Sequence, residues 1–192
     1  MTPPVILDVE ASGFGRGSYP IEIGFIEPQG AVFCALIRPA PDWLHWDASA
    51  EALHGINREL LQRCGKAPLW VATEINTRLA GQVVYCDGWG HDYSWLARLF
   101  DSAGLVPSFQ LADLRSLLSQ DDEVCWQSAL DQVRAELKLH RHRASSDAKV
   151  LQLTLMRVKQ RVAAAAMASA LAAGLPTALA AALPTALPTL RV

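Results

Sequence analysis

The run Val5-Ile6-Leu7-Asp8-Val9 constrains this chain more than any other stretch, because it reads as a buried central strand with a carboxylate in its middle. Glu10 follows two residues after Asp8, and side chains two apart on a strand leave on the same face. An unpaired buried carboxylate is very costly, so two together require a partner, most simply a divalent cation.

Two further acids break the same rule. Asp92 falls in line with Trp95, Leu96 and Leu99, on the apolar stripe of an expected helix. Asp147 falls in line with Val150 and Leu151 on another. Four carboxylates aimed at one interior point to a metal-binding active site.

The rest of the chain supplies a scaffold for them. Ile21, Ile23 and Phe25 alternate with Glu22 and Gly24 as a half-buried second strand. Pro28-Gln29-Gly30 turns the chain, and residues 31–37 return as a third strand, making an antiparallel meander that Pro39 and Pro41 end. Helices are expected over 48–53, 58–63 and 69–79, and a short apolar strand over 83–86. A loop over 87–90 leads to a helix over 92–103, stopped by Gly104. A strand over 110–112 and helices over 113–118 and 124–139 follow. The last helix should start at Ser145 or Ser146, both good N-cap types, put Asp147 in its first turn and end near Gly174. Strands first, then strands alternating with helices, predict an α/β fold: a mixed sheet of three antiparallel strands plus parallel strands, flanked by helices.

At 192 residues the chain makes one domain plus a tail, with residues 1–161 as the domain. Residues 162–192 are an Ala/Leu/Pro-rich, low-complexity helix extension and tail; up to Leu190 they carry no charge, and Leu-Pro-Thr recurs at Leu175, Leu183 and Leu187. A partner-docking segment suits this tail better than a membrane span. A span needs about 20 consecutive apolar residues, and here the run stops at Pro176. The net charge of −2 leaves no global basic footprint for duplex nucleic acid, so a phosphate-bearing substrate must be held locally. The four cysteines are scattered, which argues against structural zinc and a disulfide framework and fits a reducing cytoplasm. The N-terminus has no basic region followed by an apolar stretch, so no signal peptide is expected.

Taken in order, the pieces are Asp8-Val-Glu10, Asp92 and His142-Arg-Ala-Ser-Ser-Asp147. This constellation resembles the DEDD exonuclease superfamily in its histidine-bearing (DEDDh) branch, which includes the proofreading subunit of bacterial DNA polymerase III, ribonuclease T and oligoribonuclease. Asp8-Val9-Glu10-Ala11-Ser12-Gly13 resembles the first motif, with Glu22-Ile23-Gly24 also in pattern. Val83-Val84-Tyr85-Cys86 leading to Asp92-Tyr93-Ser94-Trp95-Leu96 resembles the second, and 142–148 the third. Leu53-His54-Gly55-Ile56 resembles a His-Gly-Ile segment common in the branch. The resemblance covers roughly residues 4–160. The family often carries His-Asn before the second-motif Asp, where this chain has Asp87-Gly88.

The resemblance implies a ribonuclease H-like fold and a metal-dependent 3′–5′ exonuclease. Such an enzyme releases nucleoside 5′-monophosphates from single-stranded DNA or RNA 3′ ends. Phosphodiester hydrolysis needs an activated water, a stabilised charge on phosphorus and a stabilised leaving oxygen, which two divalent ions about 3.5–4 Å apart supply. Oxygen ligands suit Mg2+ or Mn2+. Asp8, mid-strand with Glu10 on its face, is the best candidate to bridge the ions. The resemblance further implies that Asp8, Glu10 and Asp147 hold the first ion, that Asp92 supports the second, and that His142 is the general base.

Lys138, Arg141, Arg143 and Lys149 surround His142 and are candidate phosphate contacts, Arg143 foremost. His54 and Trp89 are the other candidate substrate contacts. The remaining tryptophans are expected in the core, Glu22 in an outward or structural role, Asp87 as a turn cap and His140 in solvent. One alternative is a non-catalytic module of the same fold that binds a nucleic-acid end or a polymerase-like partner. Another is a phosphohydrolase acting on small esters. The choice between DNA and RNA depends on contacts to the 2′ position, which no motif reveals.

Overall fold

The computed structural model describes residues 2–139 and 141–173. The expected tail after Ala173, with its docking role and the helix end near Gly174, lies outside the described residues, as does His140. Five strands, β1 (Val5–Ala11), β2 (Pro20–Ile26), β3 (Val32–Leu36), β4 (Val83–Cys86) and β5 (Gln110–Asp113), form one sheet in the order β3-β2-β1-β4-β5. The β1/β2 and β2/β3 pairs are antiparallel, and β1/β4 and β4/β5 are parallel. The helices are α1 (Ala48–His54), α2 (Arg58–Cys64), α3 (Pro68–Leu79), α4 (Trp89–Ala103), α5 (Gln120–Leu137) and α6 (Ala144–Ala172). This is the predicted ribonuclease H-like mixed sheet between helices.

The alternation of β1 sorts the two layers. Val5, Leu7 and Val9 join Ile21, Ile23 and Phe25 in a core closed by Val71, Ala72 and Ile75 of α3 and by Trp95, Leu96 and Leu99 of α4. Ile6, on the opposite face, packs with Ile26, with Trp126 and Ala129 of α5, and with Ala148, Leu151, Leu155 and Val158 of α6. Asp8 and Glu10 share parity with Ile6, so they belong to the face that α6 covers.

Several helix boundaries differ from expectation. α4 begins at Trp89, one turn before Asp92, with Gly88 at the cap; the expected 87–90 loop shortens to a bend at Asp87-Gly88. Trp89 stacks on Tyr93 one turn on, which ties the added turn together. α5 begins at Gln120, because Ser119 and Asp122 form a capping box that the apolar pattern alone did not reveal. The chain at 113–118 finishes β5 and makes a short 3-10 turn at Leu114–Leu117 instead of a helix. α6 starts at Ala144, so Ser145 and Ser146 lie inside it and cap nothing. The helix crosses Arg161 without a break, Val162 still packs on the core, and the side chains from Ala164 on are mostly exposed. No helix among the described residues is long and apolar enough to cross a membrane.

Candidate active site

The site forms where the ends of β1 and β4 meet the starts of α4 and α6. Across the antiparallel β1/β2 pair, Asp8 faces Gly24 and Glu10 faces Glu22, so all four positions share the α6 side of the sheet. Gly24 is the reason α6 can come this close. A Cβ there would stand 2.3 Å from the Ser145 backbone nitrogen and 2.7 Å from the Ala144 carbonyl carbon. Only a residue without a side chain lets the helix start rest on the strand beside Asp8.

That approach delivers the third motif. Glu10, His142 and Asp147 each offer a ligand atom, and these atoms lie within 4.8 Å of one another. His142 sits just before α6 with φ +57°, a left-handed backbone unusual for a residue with a side chain. Two clefts meet at Asp8, Glu10, Gly88 and His142. One, of about 260 Å³, continues along Asp87, Arg134, Arg141 and Asp147. The other, of about 320 Å³, continues along Phe14, Leu53, His54, His91, Asp92 and Trp95. The structure thus brings Asp8, Glu10, Asp92, Asp147, His142 and His54 to one place.

The acids strain against each other. Burial raises the Asp8 carboxyl well above its ordinary range, and the neighbouring Asp92, Glu10, Asp147 and Glu22 add to the rise. Burial, then Asp147 and Glu22, push Glu10 up to about 7 against the opposing pull of Arg143. Burial lifts Asp92 to about 7; bonds from Cys86 and Gly88 hold it down and Asp87 pushes it up. Asp92 is 3% exposed, and its Oδ2 is buried with no hydrogen-bond partner. A crowded set of carboxylate oxygens with one imidazole, lacking enough cations of its own, suits a divalent cation.

The candidate substrate contacts differ in what they touch. Burial moves the His54 imidazole below its ordinary pKa. Its Nδ1 accepts from the Ile56 amide at 3.0 Å, leaving a buried, unpartnered Nε2. Trp89 turns towards β5, its indole donating to the Leu111 carbonyl at 3.4 Å. The Arg143 guanidinium forks onto Glu22, which is fully buried and makes a structural contact. Asp87 lies 3.8 Å from Arg115 and borders the first cleft as well. Among the tryptophans expected in the core, Trp70 is 44% exposed, with Lys66 over its ring.

Sequence reading passed over Phe14, His91 and Arg134. Phe14 lies edge-on to His91 with centroids 5.1 Å apart, and His91 stacks on Trp95. Their adjacency to Gly13 and Asp92 was a usable signal. Arg134 had none: it is a helical arginine far from every motif.

The fold is that of known exonucleases. E. coli exonuclease I in its zinc-bound complex with single-stranded DNA superposes with a TM-score of 0.63 at 16% identity, over 82% of this chain and 40% of that one. An exonuclease I from Methylocaldum szegediense gives 0.58 at 13% identity, over 82% and 40%. Ligand-free exonuclease I gives 0.59 at 14% identity, over 80% and 41%. The chain therefore spans about 40% of the length of these solved structures. No protein-family model and no curated protein matches it.

Proposed function

We propose that the protein is a metal-dependent 3′–5′ exonuclease that removes nucleoside 5′-monophosphates from single-stranded nucleic acid. The observation that carries this reading is the convergence of Asp8, Glu10, Asp92, Asp147 and His142 on one pair of joined clefts. The likeness to exonuclease I, solved with single-stranded DNA, supports the substrate class at the level of fold.

Asp8, Glu10 and Asp147 would hold one divalent ion, and Asp92 would help to hold a second. Metal bound there would supply polarisation of the attacking water and neutralisation of charge on the phosphate and the leaving oxygen. His142 receives the proton of that water on its ring, at the meeting point of the two clefts. Arg134 and Arg141 line the cleft that also holds Asp147, and they offset phosphate charge that the acids would otherwise repel. Phe14 and Leu53 offer exposed apolar surface against which the terminal nucleotide packs, with His54 behind them. The presence of all four acids and the histidine in one place favours an enzyme over a binding module, since crowding like charges about a buried Asp92 is costly without a cation to hold.

The test uses 5′- and 3′-labelled single-stranded DNA and RNA with Mg2+ or Mn2+. Stepwise shortening from the 3′ end with release of 5′-mononucleotides, abolished by chelator, is expected. Undiminished hydrolysis in excess chelator overturns the reading, and so does cleavage of simple phosphate esters without cleavage of oligonucleotides.

A further inference from the structure

α6 begins without a cap of its own. Arg143 stands at the N-cap position and makes no side-chain cap bond, although the first turn of any helix leaves amide donors to be satisfied. The missing acceptor comes from β2: the Glu22 carboxylate accepts from the Ala144 amide at 2.9 Å. The same carboxylate accepts from Arg143 Nε at 3.1 Å on both oxygens and from an Arg143 terminal nitrogen at 2.5 Å, and the Cys34 thiol donates to it at 3.4 Å. Glu22 is fully buried, whereas the Arg143 side chain is 44% exposed. A buried carboxylate satisfied this completely is structural, in contrast to its neighbours Asp8 and Glu10.

The consequence falls on His142, one residue earlier. Its left-handed backbone is disfavoured for a residue with a side chain and persists only where the surroundings dictate it. Ser146 and Asp147 donate their amides to the Arg143 carbonyl at 2.8 and 3.0 Å, so the backbone of Arg143 anchors the turn that carries Asp147. The bonds to Glu22 therefore fall on Arg143 and Ala144, in the segment that joins the two residues that, with Glu10, make the three-residue ligand cluster.

We infer that Glu22 and Arg143 act as positioning residues: a clamp from β2 that caps α6 and holds His142 and Asp147 on Glu10. This rests on the exonuclease reading for its effect on turnover but not for its effect on geometry. Arg143 on this account touches no substrate, which separates it from Arg134 and Arg141.

Three variants test the clamp: Arg143→Lys, which keeps a charge and loses the fork; Glu22→Gln, which keeps an acceptor; and Glu22→Ala, which keeps none. Arg143→Lys changes a partly exposed side chain, so it reports even if Glu22→Ala does not fold. Well below the melting temperature, Arg143→Lys should lower kcat roughly 10- to 100-fold, the scale of a small misplacement of reacting groups, with KM nearly unchanged. Mn2+ affinity, measured by titration without substrate, should fall about 10-fold. Amide exchange over residues 143–147 should quicken, and Glu22→Gln should rescue part of the loss seen in Glu22→Ala. A raised KM at unchanged kcat in Arg143→Lys overturns the clamp and makes Arg143 a substrate contact. Unchanged exchange and Mn2+ binding in folded variants overturn it as well. If the unaltered protein degrades no oligonucleotide, the exonuclease reading fails, while exchange and Mn2+ binding still decide the clamp.

Discussion

Asp92 and Asp122 are two aspartates in the first turns of two helices, 3% and 1% exposed, and they behave in opposite ways. Burial pushes both upwards. At Asp122 the push is overcome by Lys159 and by the Ser119 hydroxyl and amide, both 2.8 Å from Oδ2, so its carboxyl ends below the usual range. At Asp92 the bonds from Cys86 and Gly88 fall short, Asp87 adds repulsion, and the carboxyl rises to about 7. The difference separates an acid whose counter-charge is built into the chain from one whose counter-charge must arrive from outside. The first caps a helix; the second is the carboxylate that the proposed function assigns to metal.

Replacing the two acids sharpens that contrast most. Asp92→Asn should nearly abolish turnover, with the folded protein intact. Asp122→Asn should leave kcat unchanged and lower stability by about 1–3 kcal/mol, because it loosens a buried hydrogen-bonded pair. That corresponds to roughly 2–4 °C in melting temperature per kcal/mol for a domain of this size. Turnover on a labelled oligonucleotide beside thermal melts distinguishes them; an active Asp92 variant with a dead Asp122 variant reverses the assignment. Asp87→Asn belongs with Asp122 here, since Arg115 faces it and turnover should largely survive.

His142→Ala comes next in size. Loss of a general base costs roughly 10²–10⁴-fold in turnover. The acidic limb of the pH–rate profile should change with it, and near-normal turnover would remove His142 from the mechanism.

The smallest effect is on stability against pH. With carboxyls held near 7 in the folded state and near 4 in the unfolded chain, Glu10 and Asp92 bind more protons when folded across that interval. Their contribution is present at low pH and is lost as pH rises through about 7. Asp122 has the opposite sign: its contribution exists above the ordinary carboxylate range and is lost only as pH falls below it. The metal-free protein should therefore melt lower at pH 8 than at pH 5. Excess Mg2+ or Mn2+ should recover more at pH 8, and Asp92→Asn should flatten the slope. Melts in chelator and in metal read this directly; a metal-free protein that gains stability from pH 5 to pH 8 contradicts the charge balance described for the site.

The sequence by itself determined the faces. A period of two put Asp8 and Glu10 on the side of β1 that carries Ile6, and a helical stripe aligned Asp92 with Trp95, Leu96 and Leu99. Spacing along one element is a local property, so the faces that carry the acids and the mix of antiparallel and parallel strands were legible. What lies across from a face is not local. Only the folded chain showed that Gly24 clears the way for α6, that Glu22 reaches 122 residues along the chain to cap Ala144, and that Arg134 borders the cleft. Only it showed Trp89 turned to β5 and Ser145 and Ser146 inside α6. Caps and counter-charges are made by whichever groups the packing brings within about 3 Å, and the choice between a satisfied carboxylate and an exposed need for metal is made there, between elements that the sequence keeps far apart.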